Sequence, residues 1–316
     1  VLYRLREAIR NRQFDFRTRV IRDTPPIPCD PRAACEIHTM LSEAHVPMYL
    51  VAVKSLLRFH DGLSVVIHSD GTLKACSERR VMEHVPGCRI IPADQADARA
   101  GRELGPDSML RRWRGNDAAY RRLIDTELWG QTAKRIILDA DVIVLRRPDE
   151  LIDWIDRGDR PFVMGQPPAP VSHTGSQVKP GHMQSAFVSA VPRLNATLDN
   201  SSEFLDGGTG GLYGCAGGEL SLQKIERVLR ACLELQLPMQ QWGAEQCMIV
   251  YLLGAAGAKR LDPARYFNFS PSYESRLRDA ALVHFFGTHR HHKGLYRRLA
   301  ANLIDQMAHE KERVPA

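Results

Sequence analysis

Two aspartates, Asp139 and Asp141, stand one residue apart inside the apolar run IILDADVIVL. Ionised carboxylates flanked by core-type side chains are costly to desolvate unless a cation or hydrogen-bond donors satisfy them. In an extended strand residues i and i+2 share a side, so both carboxylates reach one point, above all where the strand ends. A hard divalent cation such as Mn2+ or Mg2+ takes carboxylate and phosphate oxygens and removes the cost. Helix capping is the competing role for such aspartates, but the next helix, DELIDWI, starts only after Pro148, with Asp149 better placed to cap it.

His284 is a second anomaly, an imidazole inside the apolar run ALVHFFG, followed by Gly287 and the cationic string THRHHKG. A lone histidine on an apolar strand is more often a satisfied core residue than a ligand. Its neighbours shift that reading. Gly287 lets backbone N–H groups approach phosphate oxygens, and Arg290 or Lys293 neutralises a diphosphate.

The elements that must position these residues alternate in type. Strands are expected over 35–41, 63–71, 88–94 and 135–145, with helices over 48–59, 73–84 and 117–128 between them. Such alternation predicts an α/β fold with a mostly parallel central sheet flanked by helices. Further on come a strand at PFVMG, a long loop over 166–182 of the kind that covers active sites, and the backbone-permissive GGTGGLYG at 207–214. Helices over 220–235 and 244–253, a strand over 281–287 and a closing helix over 294–309 complete the pattern. The proline-rich TPPIPCDP, which cannot sustain a helix, divides a basic N-terminal arm and linker (1–30) from a single domain (31–316).

The 316 residues are 44% hydrophobic and 25% charged, ordinary values for a globular chain, and suffice for a sizeable core. No run approaches the roughly 20 apolar residues that cross a bilayer, and no stretch reads as a secretory leader. Seven cysteines without any C-x-x-C pair argue against a zinc site or disulfide framework and fit reduced thiols in a cytoplasm. The tripeptides at Asn195, Asn200 and Asn268 match the glycosylation pattern, which arises often by chance.

The net charge of +6 is concentrated: residues 1–22 hold seven arginines against Glu7 and Asp15. Leu2, Leu5, Ile9 and Phe16 roughly follow helical spacing, so this arm either lies on an anionic membrane surface, making the protein peripheral, or docks on the body. A rival class follows from the same charge: a non-catalytic protein binding nucleic acid or membranes through basic ends, over an inert α/β body. Such a module gains nothing from two aspartates on a core strand, and no nucleic-acid partner is expected. A nucleotidyltransferase would need a glycine-rich phosphate loop near the N-terminus, which is missing.

The order of these elements, with MYLVAVKSLLRF, YRRLIDTELW, LDADVIV and a late HFFG before basic residues, resembles the glycogenin-like and bacterial lipooligosaccharide galactosyltransferase-like group of GT-A glycosyltransferases. The resemblance spans roughly residues 35–295. It implies a Rossmann-like GT-A fold and divalent-metal-dependent transfer from a nucleoside diphosphate sugar, UDP-linked, to a saccharide, lipid-linked or protein acceptor, with retention of configuration. It also implies that Asp141 and His284 bind Mn2+ (or Mg2+) and that Asp139 reaches metal and donor ribose. Arg122, with Arg121 adjacent, would touch the donor, and Glu43 would lie near the nucleotide. An inverting enzyme would need a base near the acceptor hydroxyl, for which Glu245 is the candidate.

The pattern also departs from that group. Arg290 takes the place of the late lysine, and His291 and His292 replace a Pro-Trp. Gly208-Thr209-Gly210 stands for Asn-Ala/Ser-Gly, and Gly243-Ala244-Glu245-Gln246 for Asp-Gln-Asp. The choice of sugar and acceptor is therefore not transferable.

Overall fold

The computed structural model describes residues 9, 12–14, 16–165, 183–200, 204–205 and 207–310. The expected loop over 166–182 and most of the first eleven residues lie outside them.

The first half winds as expected. Strands β1 (Cys35–Leu41), β2 (Ser64–Ser69), β3 (Arg89–Ile91) and β4 (Lys134–Leu138) are joined through helices α1 (Val46–Leu57), α2 (Ala75–His84), α3 (Ala93–Glu103), α4 (Met109–Asn116) and α5 (Ala118–Trp129). The apolar runs of β1 and β2 form parallel rungs such as Ile37 with Val65, and β4 pairs parallel on the other side of β1. The polar stretch before α5, to which the sequence reading assigns no element, holds α3 and α4. Their apolar stripes are thin: only Ala96 and Ala100 of α3 are buried.

Strand β5 (Val142–Val144) belongs to a different sheet, so the run expected as one strand over 135–145 is two strands joined at the aspartates. After α6 (Asp149–Arg157) come β6 (Phe162–Gly165), α7 (Met183–Leu198), β7 (Gly208–Cys215), α8 (Leu222–Glu234), α9 (Ala244–Ala255) and the short β8 (Lys259–Arg260). The large sheet has the order β3-β2-β1-β4-β7-β6-β8. Strand β7 alone runs against its neighbours β4 and β6. Strand β9 (Tyr266–Asn268), β10 (Leu282–His284) and β5 form the second sheet, with β10 central. A closing helix α10 (Leu295–Glu310) packs beside α1.

Helix α1 is buried on almost every side, from Met48 to Leu57 without interruption. It lies between the large sheet and β5, where Ser55 Oγ accepts the Val144 N–H at 3.1 Å. Each of its Val and Leu side chains contributes about 1.5–3 kcal/mol by leaving water. The buried ammonium of Lys54 donates to Thr24 Oγ1 (2.5 Å) and the Pro25 carbonyl (2.6 Å), pinning the proline-rich linker to the body. The linker's Ile27, Cys29 and Asp30 N–H groups also bond body carbonyls. Phe14 and Ile21 enter the main core. The described part of the arm is therefore docked. Among the described residues no helix is long and apolar enough to cross a membrane.

Candidate active site

In open α/β sheets ligands bind beyond the carboxyl ends of the strands where the strand order reverses. Here the order reverses between β1 and β4, and Asp139 is the first residue past the end of β4. Its N–H makes a last rung to the Gly211 carbonyl (3.0 Å), and its own carbonyl accepts the Val142 N–H (3.3 Å), closing a turn. The chain then enters β5, where the Asp141 carbonyl accepts the Phe285 N–H (2.9 Å). The two aspartates thus converge through a turn between sheets, rather than by alternation within one strand.

Register on the second sheet sets His284 opposite Val142. Its Nε2 lies 3.0 Å from Asp141 Oδ1 and 3.6 Å from Asp139 Oδ2. One ligand atom from each of Asp139, Asp141 and His284 falls within 4.8 Å of the others. The imidazole is oriented from behind: His284 Nδ1 lies 2.8 Å from Asn268 Oδ1. An amide oxygen only accepts, so Nδ1 carries a proton and Nε2 is the nitrogen turned toward the carboxylates, donating to them when protonated and open to a cation when it is not. Asn268 is held in turn by Thr209, whose Oγ1 accepts from Asn268 Nδ2 at 3.0 Å. Two carboxylates and an oriented imidazole fit a divalent cation of the Mn2+ or Mg2+ class.

Cations surround this acidic point. Arg122, on α5, donates through Nη1 to Asp139 Oδ1 and through Nη2 to Glu245 Oε1 (2.8 Å). Arg290 Nη2 lies 3.0 Å from Asp141 Oδ2. Burial pushes the Asp141 carboxyl up, but His284 and Arg290 outweigh it and hold the group below its ordinary value. Burial presses His284 down, yet the two aspartates raise it above its ordinary value. Glu245 is raised by burial, with Asp139 adding to the rise and Arg122 opposing it.

Strand β7 makes room for these groups by lacking side chains. A Cβ on Gly211 would sit 2.1 Å from His284 Nδ1, and one on Gly210 would sit 3.3 Å from Arg122 Nη2. The segment read in the sequence as permissive backbone is a central strand whose glycines admit the imidazole and the guanidinium.

These residues line a cavity of about 560 Å³, a size suited to a small-molecule ligand. Asp139, Asp141, Glu245, Arg122, His284, Gly287 and Arg290 all border it. Glu43 and Lys293 do not. The Glu43 carboxylate accepts the Lys74 N–H (3.0 Å) and the Ser77 hydroxyl (2.9 Å), serving the start of α2. Lys293 is tied to Glu274 at 3.1 Å, at a kink where it takes φ +48°. Here Glu43 thus caps a helix and Lys293 forms a surface ion pair.

Sequence reasoning missed Asn268, Thr209 and Gln246, and the rim residue Trp242, 75% exposed beside Gln241. Asn268 carries one signal, an amide inside the apolar YFNF, which its match to the glycosylation tripeptide masks. Its side chain is buried.

No family model matches the chain, and no curated protein matches it. Solved structures do. The galactosyltransferase LgtC, in complex with donor and acceptor sugar analogs, aligns with a TM-score of 0.52 at 15% identity, over 89% of this chain and 97% of that one. An active-site mutant of LgtC gives 0.52 and 15%, over 86% and 95%. The glycosyltransferase GlyE of Streptococcus pneumoniae TIGR4 gives 0.50 at 12% identity, over 90% of this chain and 65% of that one. The chain has the GT-A fold of these enzymes. At such identities the likeness establishes the fold, and the chemistry has to be argued from the site.

Proposed function

We propose that this protein is a glycosyltransferase that moves a sugar from a nucleoside diphosphate sugar, UDP-linked, to a saccharide, lipid-linked or protein acceptor, dependent on Mn2+ or Mg2+. One observation carries the reading: Asp139, Asp141 and His284 converge within 4.8 Å where the strand order reverses, beside a cavity walled by Arg122 and Arg290. LgtC, of the same fold, holds donor and acceptor sugar analogs in its complex.

Asp139, Asp141 and His284 would hold the metal. When bound, a divalent cation supplies positive charge to the diphosphate oxygens as the glycosidic bond breaks. The protein's own part is to fix charge in place beforehand. Arg122 and Arg290 are already oriented by carboxylates, and each can turn a guanidinium N–H toward phosphate. The backbone at Gly287 borders the same cavity, with φ +53° and open space where a Cβ would be. Trp242 and Gln241, which line the cavity at its rim, would receive the acceptor sugar, whose pyranose face can stack on an indole.

Glu245 is buried and paired with Arg122. The course proposed is retention, which requires no dedicated base near the acceptor hydroxyl. The seven cysteines all stand as free thiols, in keeping with a reducing cytoplasm.

The test is incubation with UDP, GDP, ADP and CMP sugars and Mn2+, following slow donor hydrolysis. Turnover of one class of donor is expected in the wild type and none with Asp141→Ala. Absence of metal-dependent turnover or binding across the panel would sink the proposal.

A further inference from the structure

Three of the six large hydrophobic side chains exposed among the described residues lie in one short stretch: Ile9 (48%), Phe16 (61%) and Val20 (46%). Residues 12–14 and 16–18 are helical and lead into a turn over Arg19–Asp23. The inward positions Phe14, Thr18 and Ile21 follow helical spacing and are buried, and Phe14 stacks on Tyr296 of α10 with ring centroids 4.9 Å apart. The outward positions combine the three exposed apolar side chains with Arg12, Arg17, Arg19 and Arg22, all exposed. Arg297 of α10 borders the same shallow groove as Ile9, Arg12, Phe16 and Arg17. Asp23 is the one acidic side chain described within residues 9–23.

We infer that this face binds the surface of an anionic phospholipid membrane. A helical stretch whose inner face is already satisfied has no folding reason to expose Phe16, Ile9 and Val20 together. Exposed apolar side chains flanked by arginines are the pattern of a segment lying in the headgroup boundary. Nucleic acid would use the arginines and leave the aliphatic groups in water. A second copy of the face would meet it with like charge. The segment is also coupled to the cavity wall. Tyr296, under Phe14, packs on Phe285 at 5.0 Å, and Phe285 adjoins His284. The membrane would lie one packed layer behind the metal site. This inference does not rest on the sugar-transfer reading, because lipid binding is measured without any donor.

The experiment is flotation of the full chain with vesicles of phosphatidylcholine, with and without phosphatidylserine. Flotation is expected only with phosphatidylserine, and to weaken as salt is raised. An Arg17→Gln, Arg19→Gln variant should bind about fivefold more weakly per arginine removed. A Phe16→Ser, Val20→Ser variant, with unchanged charge, should also bind several-fold more weakly. Neither pair of side chains is buried, so thermal midpoints should match the wild type. Failure of the wild type to float with phosphatidylserine would overturn the inference. So would equal flotation of both variants and the wild type. A third overturning result is duplex DNA binding that survives Phe16→Ser, Val20→Ser while displacing the vesicles.

Discussion

Asn268 supplies what the three candidate ligands cannot supply for themselves, a fixed Nδ1 proton on His284. Its amide oxygen holds the Nδ1 proton, and Thr209 holds the amide. Asn268→Leu keeps the branched outline and removes the acceptor, so Mn2+ affinity measured by calorimetry should fall about 10–100-fold. Gly211→Ala should be harsher, because its Cβ would collide with the imidazole itself; loss of Mn2+ binding is expected. Gly210→Ala meets Arg122 Nη2 at 3.3 Å and is otherwise in ordinary contact with Gln246, so it should retain most binding in the same titration. At this scale the aspartates and His284 were legible, because a charge in an apolar run demands an explanation. Asn268 was not, because its partner lies 16 residues away on a neighbouring strand and only pairing brings them together.

Among the elements, the foot of the large sheet is tied by one carboxylate. Glu36 on β1 accepts the N–H groups of Gln131 (2.7 Å) and Thr132 (3.2 Å) before β4, and Arg89 of β3 (3.1 Å). Burial pushes its carboxyl up, but His38 and the N–H groups of Gln131 and Thr132 hold it at about 2, below its ordinary 4.5. A lowered folded-state value means the stabilisation is present above pH 4.5 and is lost as pH falls toward 2. Glu36→Gln should therefore cost about 3 kcal/mol at neutral pH. The gap to wild type in urea unfolding should shrink on acidification through that window. An unchanged gap at low pH would show that the carboxylate's charge is not what ties the strands. The strand and helix alternation around β1 and β2 was readable from apolar runs. Among the elements that escaped are α3 and α4, in a polar stretch, β7, because its glycines read as permissive backbone, and the break between β4 and β5, because both pieces are apolar and only the partner sheet distinguishes them.

Over the whole molecule, two sheets meet at the D-x-D turn, and the cavity opens at that junction. Composition and element order pointed to an α/β chain with a mostly parallel sheet, and the fold agrees. The second sheet and the cavity were beyond sequence reading, since both depend on contacts between β5, β9 and β10 far apart in the chain. The departures in the late basic run also acquire a physical meaning: Arg290 turns onto Asp141, while Lys293 turns away to Glu274. A site assembled this way, with carboxylates neutralised by arginines and an imidazole, should take up a diphosphate only when a divalent cation completes it. Calorimetric titration of UDP into the wild type, with and without Mn2+, tests this most directly. Binding at least about tenfold tighter with Mn2+, or about 1.4 kcal/mol, is expected, with the enhancement lost in Asp141→Ala. Equal UDP affinity with and without Mn2+ in the wild type would contradict it.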